Sequence, residues 1–169
     1  MLNIELKARC EQLGQLRDTC RTLGAEGREP DRQLDTYFTV PHGRLKLRES
    51  LLSGAELIFY TRANLAGARE SHFDVCAVQD GDGLKAVLRK ALGVRAMVAK
   101  RREIFLMGDV RIHLDRVQDL GSFVELEGTV QSAADLAEVV NEIRGLQEAL
   151  GIGDRSLIGE SYADLIGKP

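Results

Sequence analysis

Ionisable side chains recur at every second residue in at least four short segments of the chain, with aliphatic residues between them. Gly43-Arg44-Leu45-Lys46-Leu47-Arg48 sets three cations on one side of an extended strand and two leucines on the other. The same alternation runs through Leu2-Asn3-Ile4-Glu5-Leu6-Lys7, Val110-Arg111-Ile112-His113-Leu114-Asp115 and Val124-Glu125-Leu126-Glu127. Successive side chains of a strand point to opposite faces, so each segment has one apolar and one ionised face. Arginine forks and lysine ammoniums suit phosphate oxygens. Carboxylates are oxygen ligands for hard divalent cations such as Mg²⁺, which bridge phosphates. One such strand alone reads as a solvated edge, since charged edges deter aggregation. Four of them, carrying both signs, predict a sheet whose ionised faces converge on a common site.

The elements that must position these residues are mostly strands. Beyond the first strand, the pattern predicts strands near Gln33–Val40, Arg44–Glu49, Glu56–Arg62, His72–Val78, Val98–Leu106, Val110–Asp115 and Phe123–Gly128. Pro41-His42-Gly43 and Met107-Gly108-Asp109 read as hairpin turns. Helical spacing of Leu13, Leu16, Cys20 and Leu23 predicts a helix from Glu11 to Leu23, ending at Gly24. Asp82 reads as the N-cap of a helix from Gly83 to Leu92, and Ser132 as the cap of one running to about Leu150. The stripe Leu136, Val139, Val140, Ile143, Leu146 and Leu150 marks outer-layer packing, and such a face also suits a homodimer. A last short helix is expected over Tyr162–Ile166. With no repeat, linker or low-complexity segment, the expectation is one α+β domain over residues 1–169: an eight-stranded antiparallel β-barrel with helices outside.

An eight-stranded barrel is normally filled by apolar side chains. Here Ile4, Leu6, Leu45, Leu47, Ile112, Leu114, Val124 and Leu126 would face the helices instead, leaving the ionised set in the lumen. Eight cations are then expected inside: Lys7, Arg44, Lys46, Arg48, Arg62, Lys100, Arg102 and Arg111. Four carboxylates oppose them, Glu5, Asp115, Glu125 and Glu127, leaving an excess of four positive charges. Enclosing that excess empty is costly. A triphosphate carries roughly four to five negative charges and would answer it. The pattern therefore points to a metal–polyphosphate complex, with the carboxylates as metal ligands and the cations as substrate contacts.

Bulk properties narrow the classes. A net charge of −3 and a pI near 5.7 argue against nucleic acid or an anionic membrane as partner. Aromatic residues are 5% with no tryptophan, too few for base-stacking platforms. No run approaches the roughly 20 apolar residues that span a bilayer, and no basic-then-apolar leader opens the chain. Cys10, Cys20 and Cys76 are odd in number without CxxC spacing, which fits reduced thiols and a cytoplasmic location. Pairing of Cys10 with Cys20 would need an oxidising compartment. Cys76 reads as a small buried hydrophobe.

The residues resemble the CYTH superfamily, the triphosphate tunnel metalloenzymes. Asn3-Ile4-Glu5-Leu6-Lys7 is similar to its N-terminal ExExK signature. The likeness continues through Asp35-Thr-Tyr37-Phe38, Lys46-Leu-Arg48-Glu49, Lys100-Arg-Arg102, Arg111-Ile-His-Leu-Asp115, Gly121-Ser-Phe-Val-Glu125-Leu-Glu127 and Ser161-Tyr-x-Asp164-Leu. Each piece is weak alone; their order and spacing make the signal. The resemblance implies an eight-stranded tunnel and Mg²⁺ or Mn²⁺ held by Glu5, Glu125 and Glu127. It implies phosphate contacts from Lys7, Arg48, Arg62, Lys100, Arg102 and Arg111, with Lys7, Lys100 and Arg102 expected to be catalytic. Asn3 stands where the signature has its first glutamate. An amide oxygen ligates a hard cation without adding charge, so one metal position is weakened, or Glu127 and Asp115 supply its ligands.

Three functions follow as expectations. A triphosphatase would direct water at the terminal phosphorus. A class IV adenylyl cyclase would convert ATP to cyclic AMP and pyrophosphate, and needs an adenosine pocket that the sequence does not identify. The alternative is a non-catalytic polyphosphate- or nucleotide-binding module, favoured by Asn3 and disfavoured by the Glu125/Glu127 pair, which a pure anion binder does not need. His113 shares a face with Arg111 and Asp115, but a lone histidine is more often structural. His42 and His72 carry less signal still. Tyr37 and Tyr60 read as packing residues.

Overall fold

The alternating strands close into a ring. The computed structural model describes residues 1–167, and its elements run in the order β1 (Leu2–Arg9), α1 (Leu13–Thr22), β2 (Glu26–Gly27), β3 (Asp31–Phe38), β4 (Arg44–Ser50), β5 (Gly54–Arg62), β6 (Arg69–Val78), α2 (Gly81–Leu92), β7 (Val94–Met107), β8 (Val110–Val117), β9 (Gly121–Val130), α3 (Leu136–Ala149) and α4 (Tyr162–Ile166). Neighbours around the ring are β7-β3-β4-β5-β6-β1-β9-β8, and β8 pairs back onto β7 to close it. Every pairing is antiparallel. This is the expected α+β barrel of eight strands, with the two-residue β2 added on β7.

β7 is the seam. Its 14 residues pair with β3 from Val94 to Arg102 and with β8 from Lys100 to Met107. The sequence pattern started this strand at Val98; it begins at Val94 because Gly93, at φ 73°, ends α2 and the chain enters the sheet without a loop. Two caps also differ from expectation. Asp80, not Asp82, accepts from the Gly83 amide, so α2 starts at Gly81 and Asp82 sits in its first turn. Ser132 opens a turn rather than capping α3, its amide donating to Asp135, and the helix starts at Leu136.

The main core lies outside the barrel. Ile4 and Leu6 of β1, Ile112 and Leu114 of β8, and Val124 and Leu126 of β9 are buried against Leu13, Leu16 and Cys20 of α1 and Val139, Ile143 and Leu146 of α3. Burying each such aliphatic chain contributes about 1.5–3 kcal/mol. Leu47 is fully buried and Leu45 partly, on the face of β4 that also carries Glu49, where Lys85 of α2 docks. A second cluster joins Ala96, Val98, Val117 and Phe123, on the lumen face at one end of the barrel, to Tyr162 and Ala163 of α4. The three thiols are free, and Cys76 is exposed rather than buried, on the outer face of β6. Among the described residues, no helix is long and apolar enough to cross a membrane.

Gly128 shows how closely α3 approaches the sheet. A Cβ there would lie 2.5 Å from Val139 Cγ1, well inside contact distance. Gly128→Ala should therefore destabilise the fold by about 1–3 kcal/mol, the usual penalty for overpacking. Pairing it with Val139→Ala should recover part of that loss, measured as a non-additive double-mutant cycle in urea.

Candidate active site

The lumen holds a cavity of about 340 Å³ lined from all eight strands of the ring and from Ser161 and Tyr162. Register explains the convergence. Glu5 lies opposite Glu127 and Lys7 opposite Glu125 across β1 and β9. Arg111 faces Glu127 and His113 faces Glu125 across β8 and β9. Arg102 faces Asp115 across β7 and β8, and Asp35 faces Arg48 across β3 and β4. Because inward side chains occur at every second position, these pairs stack into connected ionic networks.

Asp35 is the hub of the first network. It is 1% exposed, and it accepts from Lys100 Nζ at 2.8 Å and Lys46 Nζ at 3.1 Å. Arg48 binds it bidentately, Nε to Oδ1 at 2.8 Å and Nη2 to Oδ2 at 2.9 Å. Burial would raise the carboxyl, but Arg48, Lys100 and Lys46 hold it well below the usual range. The lysines respond oppositely. Burial pulls Lys100 down to about 7; Asp35 pulls it up, while Arg48, Arg102 and Lys46 add to the fall. Lys46 is lowered to about 8, by burial and then by Arg48, against Asp35.

Arg102 anchors the second network. It forks onto Asp115 at 2.7 and 2.6 Å and reaches Glu125 at 2.6 Å. Lys7 meets Glu125 at 3.0 Å and sits 3.7 Å above the Tyr162 ring, whose hydroxyl donates to Asp115 at 2.9 Å. Burial opposes ionisation of Glu125, yet Lys7 and Arg102 keep it well below the usual range. The third set lies around β1. Arg62 donates to Glu5, with Arg69 at 3.5 Å; Asn3 donates to Glu127, which also accepts from Arg111 at 2.9 Å. His113 stands between the glutamates, Nδ1 3.6 Å from Glu125 and Nε2 3.8 Å from Glu127. Burial lowers it, and Arg102 lowers it further.

Of the residues expected in the lumen, Glu5, Lys7, Lys46, Arg48, Arg62, Lys100, Arg102, Arg111, Glu125 and Glu127 line this one cavity. Arg44 and Asp115 do not. Arg44 is drawn to α4, giving Nη2 to Asp164 at 2.9 Å and to Asn64 at 2.7 Å. Asp115 is fully buried with its oxygens taken by Arg102 and Tyr162. Asp35 and Glu56, absent from the expected set, line the cavity instead. The wall thus carries seven cations and five carboxylates, an excess of two rather than four. Tyr37 and Tyr60 are buried as expected, but they too line the cavity, with hydroxyls 3.5 Å apart.

For a divalent cation, the oxygen donors facing the cavity include Glu5, which is paired with Arg62, together with Glu125, Glu127 and Asn3. Asn3 Oδ1 is buried without a hydrogen-bond partner, while its amide nitrogen serves Glu127. An unpaired amide oxygen beside a carboxylate fits a hard metal. Among the described residues, no three His, Cys, Asp or Glu side chains form a ready-made metal cluster. The protein would hold such an ion partially, leaving positions for phosphate oxygens and water.

The profile of the CYTH domain family matches residues 1–162. The chain belongs to the CYTH domain family. Among curated CYTH relatives, a protein named as a candidate adenylate cyclase in Methanocaldococcus jannaschii is 23% identical and aligns over 99% of both chains. Adenylate cyclase CyaB of Aeromonas hydrophila is 26% identical over 81% of this chain and 73% of its own length. Solved structures share the fold: a candidate adenylate cyclase of Vibrio parahaemolyticus superposes with a TM-score of 0.86 at 18% identity, covering 99% of both chains. A protein of Hippeastrum, titled as a candidate adenylyl cyclase with a dominant triphosphatase activity, superposes at 0.65 with 13% identity, over 98% of this chain and 93% of its own.

Asp35→Asn isolates the first network. Loss of the carboxylate shared by Lys46, Arg48 and Lys100 should cost about 3–5 kcal/mol at pH 6, where all three are charged in the parent. The cost should shrink by pH 9, because Lys100 and Lys46, lowered to about 7 and 8, can then shed their protons. Urea denaturation of parent and variant at both values checks the sign.

Proposed function

We propose that this chain is a metal-dependent enzyme that binds a linear triphosphate in its tunnel and cleaves the phosphoanhydride. The observation that carries the reading is the convergence of seven Lys and Arg side chains on one cavity that also presents Glu125, Glu127 and the unpaired Asn3 oxygen. Mg²⁺ or Mn²⁺ held by those oxygens would supply charge neutralisation and polarisation of phosphoryl oxygens. Lys7, Lys46, Arg48, Lys100, Arg102 and Arg111 are spaced over four strands, so only an elongated anion engages them together. Arg48 and Arg102 are held rigid by bidentate bonds to Asp35 and Asp115, which fixes the free edges of their guanidiniums before substrate arrives. Such fixed donors stabilise charge developing on the transferred and leaving oxygens without reorganising.

Two attacking oxygens suit the same tunnel. Water at the terminal phosphorus gives hydrolysis and releases orthophosphate. The 3′-hydroxyl of bound ATP at the α-phosphorus gives cyclic AMP and pyrophosphate, and the likeness to relatives named adenylate cyclase favours this second reading. Incubation with ATP and with inorganic triphosphate, with Mg²⁺ or Mn²⁺, separates them by product. No product from either substrate would return the chain to a binding module.

Glu125→Gln and Glu127→Gln should each lower turnover by about 100-fold or more while the fold persists, since shape is kept and only charge is lost. Unaltered kcat and metal dependence in both would remove the carboxylates from the mechanism. Triphosphate binding should also take up a proton above about pH 7, as the incoming anion recharges Lys100. Calorimetry in two buffers of different ionisation enthalpy would show this in the parent and a smaller uptake in Lys100→Met.

A further inference from the structure

Glu5 stands between two guanidiniums. Arg62 of β5 donates to it through Nη1, while Arg69, its register partner on β6, brings Nη2 to 3.5 Å, beyond ordinary hydrogen-bond range. Both arginine side chains are 3% exposed, yet of the two only Arg62 lines the cavity. Arg69 is fixed through its other terminal nitrogen. Nη1 donates to the carbonyls of Leu65 at 2.8 Å, Ile158 at 3.1 Å and Gly67 at 3.3 Å. Its Nε and Nη2 are buried without a hydrogen-bond partner. These are the two nitrogens with which Arg48 clamps Asp35 and Arg102 clamps Asp115. Arg69 thus carries an unused carboxylate fork with one tine already near Glu5. Buried donors left unpaired are unfavourable, so a state that pairs them is favoured.

Arg62 is the less firmly held of the two. Apart from Glu5 it gives only Nη2 to the Gly159 carbonyl at 3.3 Å, and its Nε has no partner. An anion entering the cavity competes with Glu5 for this guanidinium. Stripping Glu5 of its cation inside the barrel would oppose that binding, unless a second cation stands ready.

We propose that Arg69 is a positioning residue: when an anion draws Arg62 into the lumen, the Nε and Nη2 fork of Arg69 takes over Glu5. This rests on the reading of the tunnel as a triphosphate site. The exchange keeps Glu5 paired in both states and frees Arg62 for phosphate oxygens without losing an ion pair.

The test is calorimetric binding of inorganic triphosphate in metal-free buffer, where no divalent ion claims Glu5. Arg69→Lys keeps the charge but has no fork, and should weaken binding about tenfold, the worth of one charge-assisted hydrogen bond. In a Glu5→Gln background no carboxylate needs to be taken over. There the same substitution should change affinity by less than about twofold, the scatter expected of independent sites. An Arg69 that merely held Leu65, Gly67 and Ile158 would cost the same in both backgrounds. Nuclear magnetic resonance adds a signature that needs no Arg69 variant. On addition of triphosphate, the Arg69 Nε proton should move downfield in the parent and stay in place in Glu5→Gln. Equal losses in the two backgrounds, or an Nε signal that ignores bound triphosphate, would overturn the exchange while leaving the tunnel reading intact. Failure of triphosphate to bind the parent would overturn both.

Discussion

Charge withdrawn from water must be answered by charge, and here a closed barrel holds a dozen ionised groups around one cavity. Desolvating a lone carboxylate or ammonium costs several kcal/mol even after the surroundings relax. The barrel meets this with shared partners rather than isolated pairs. Asp35 serves three cations at once, and Arg102 serves two carboxylates. The sharing is incomplete: two positive charges remain over, and two lysines lie close to losing their protons. An interior tuned to that edge is receptive to an anion in a way that a fully neutralised one is not.

This arrangement is possible because inside and outside have exchanged their usual roles. The residues that would fill an ordinary small barrel lie on its outer surface, and α1 and α3 are laid over them to complete the core. The helices therefore stabilise the fold while the lumen carries the chemistry. Close packing of α3 over Gly128 belongs to the first task, and the ion-pair networks to the second. A change on one side of a strand need not be felt on the other, since successive side chains never share an environment.

Where alternation was clean, the sequence disclosed both the strand and the direction of its side chains. In β1, β4, β8 and β9 charged and aliphatic residues alternate over most of the strand, and the charges expected in the lumen, Arg44 and Asp115 apart, reach the cavity. β3 was harder to read. Alternating with Asp31, Gln33 and Asp35 are Arg32, Leu34 and then Thr36, so polar residues fall on both faces and the periodic signal that would have singled out Asp35 is lost. Arg44 and Asp115 share the correct face yet lie at the end of the barrel where α4 docks, and no local pattern encodes which depth of a tunnel a distant helix will occupy. The same limit hid Tyr162, which enters the site from the far end of the chain.

That short helix also shapes the lumen from a distance. α4 packs Tyr162 and Ala163 against Val98, Val117 and Phe123, and Asp164 is clasped by Arg44 and Arg95. One end of the barrel is thus filled by side chains that arrive last in the chain, and Tyr162 is at once part of that plug and part of the cavity wall. Loosening the helix and reshaping the lumen are therefore one event, so the barrel's inner form is complete only when the final turn has docked.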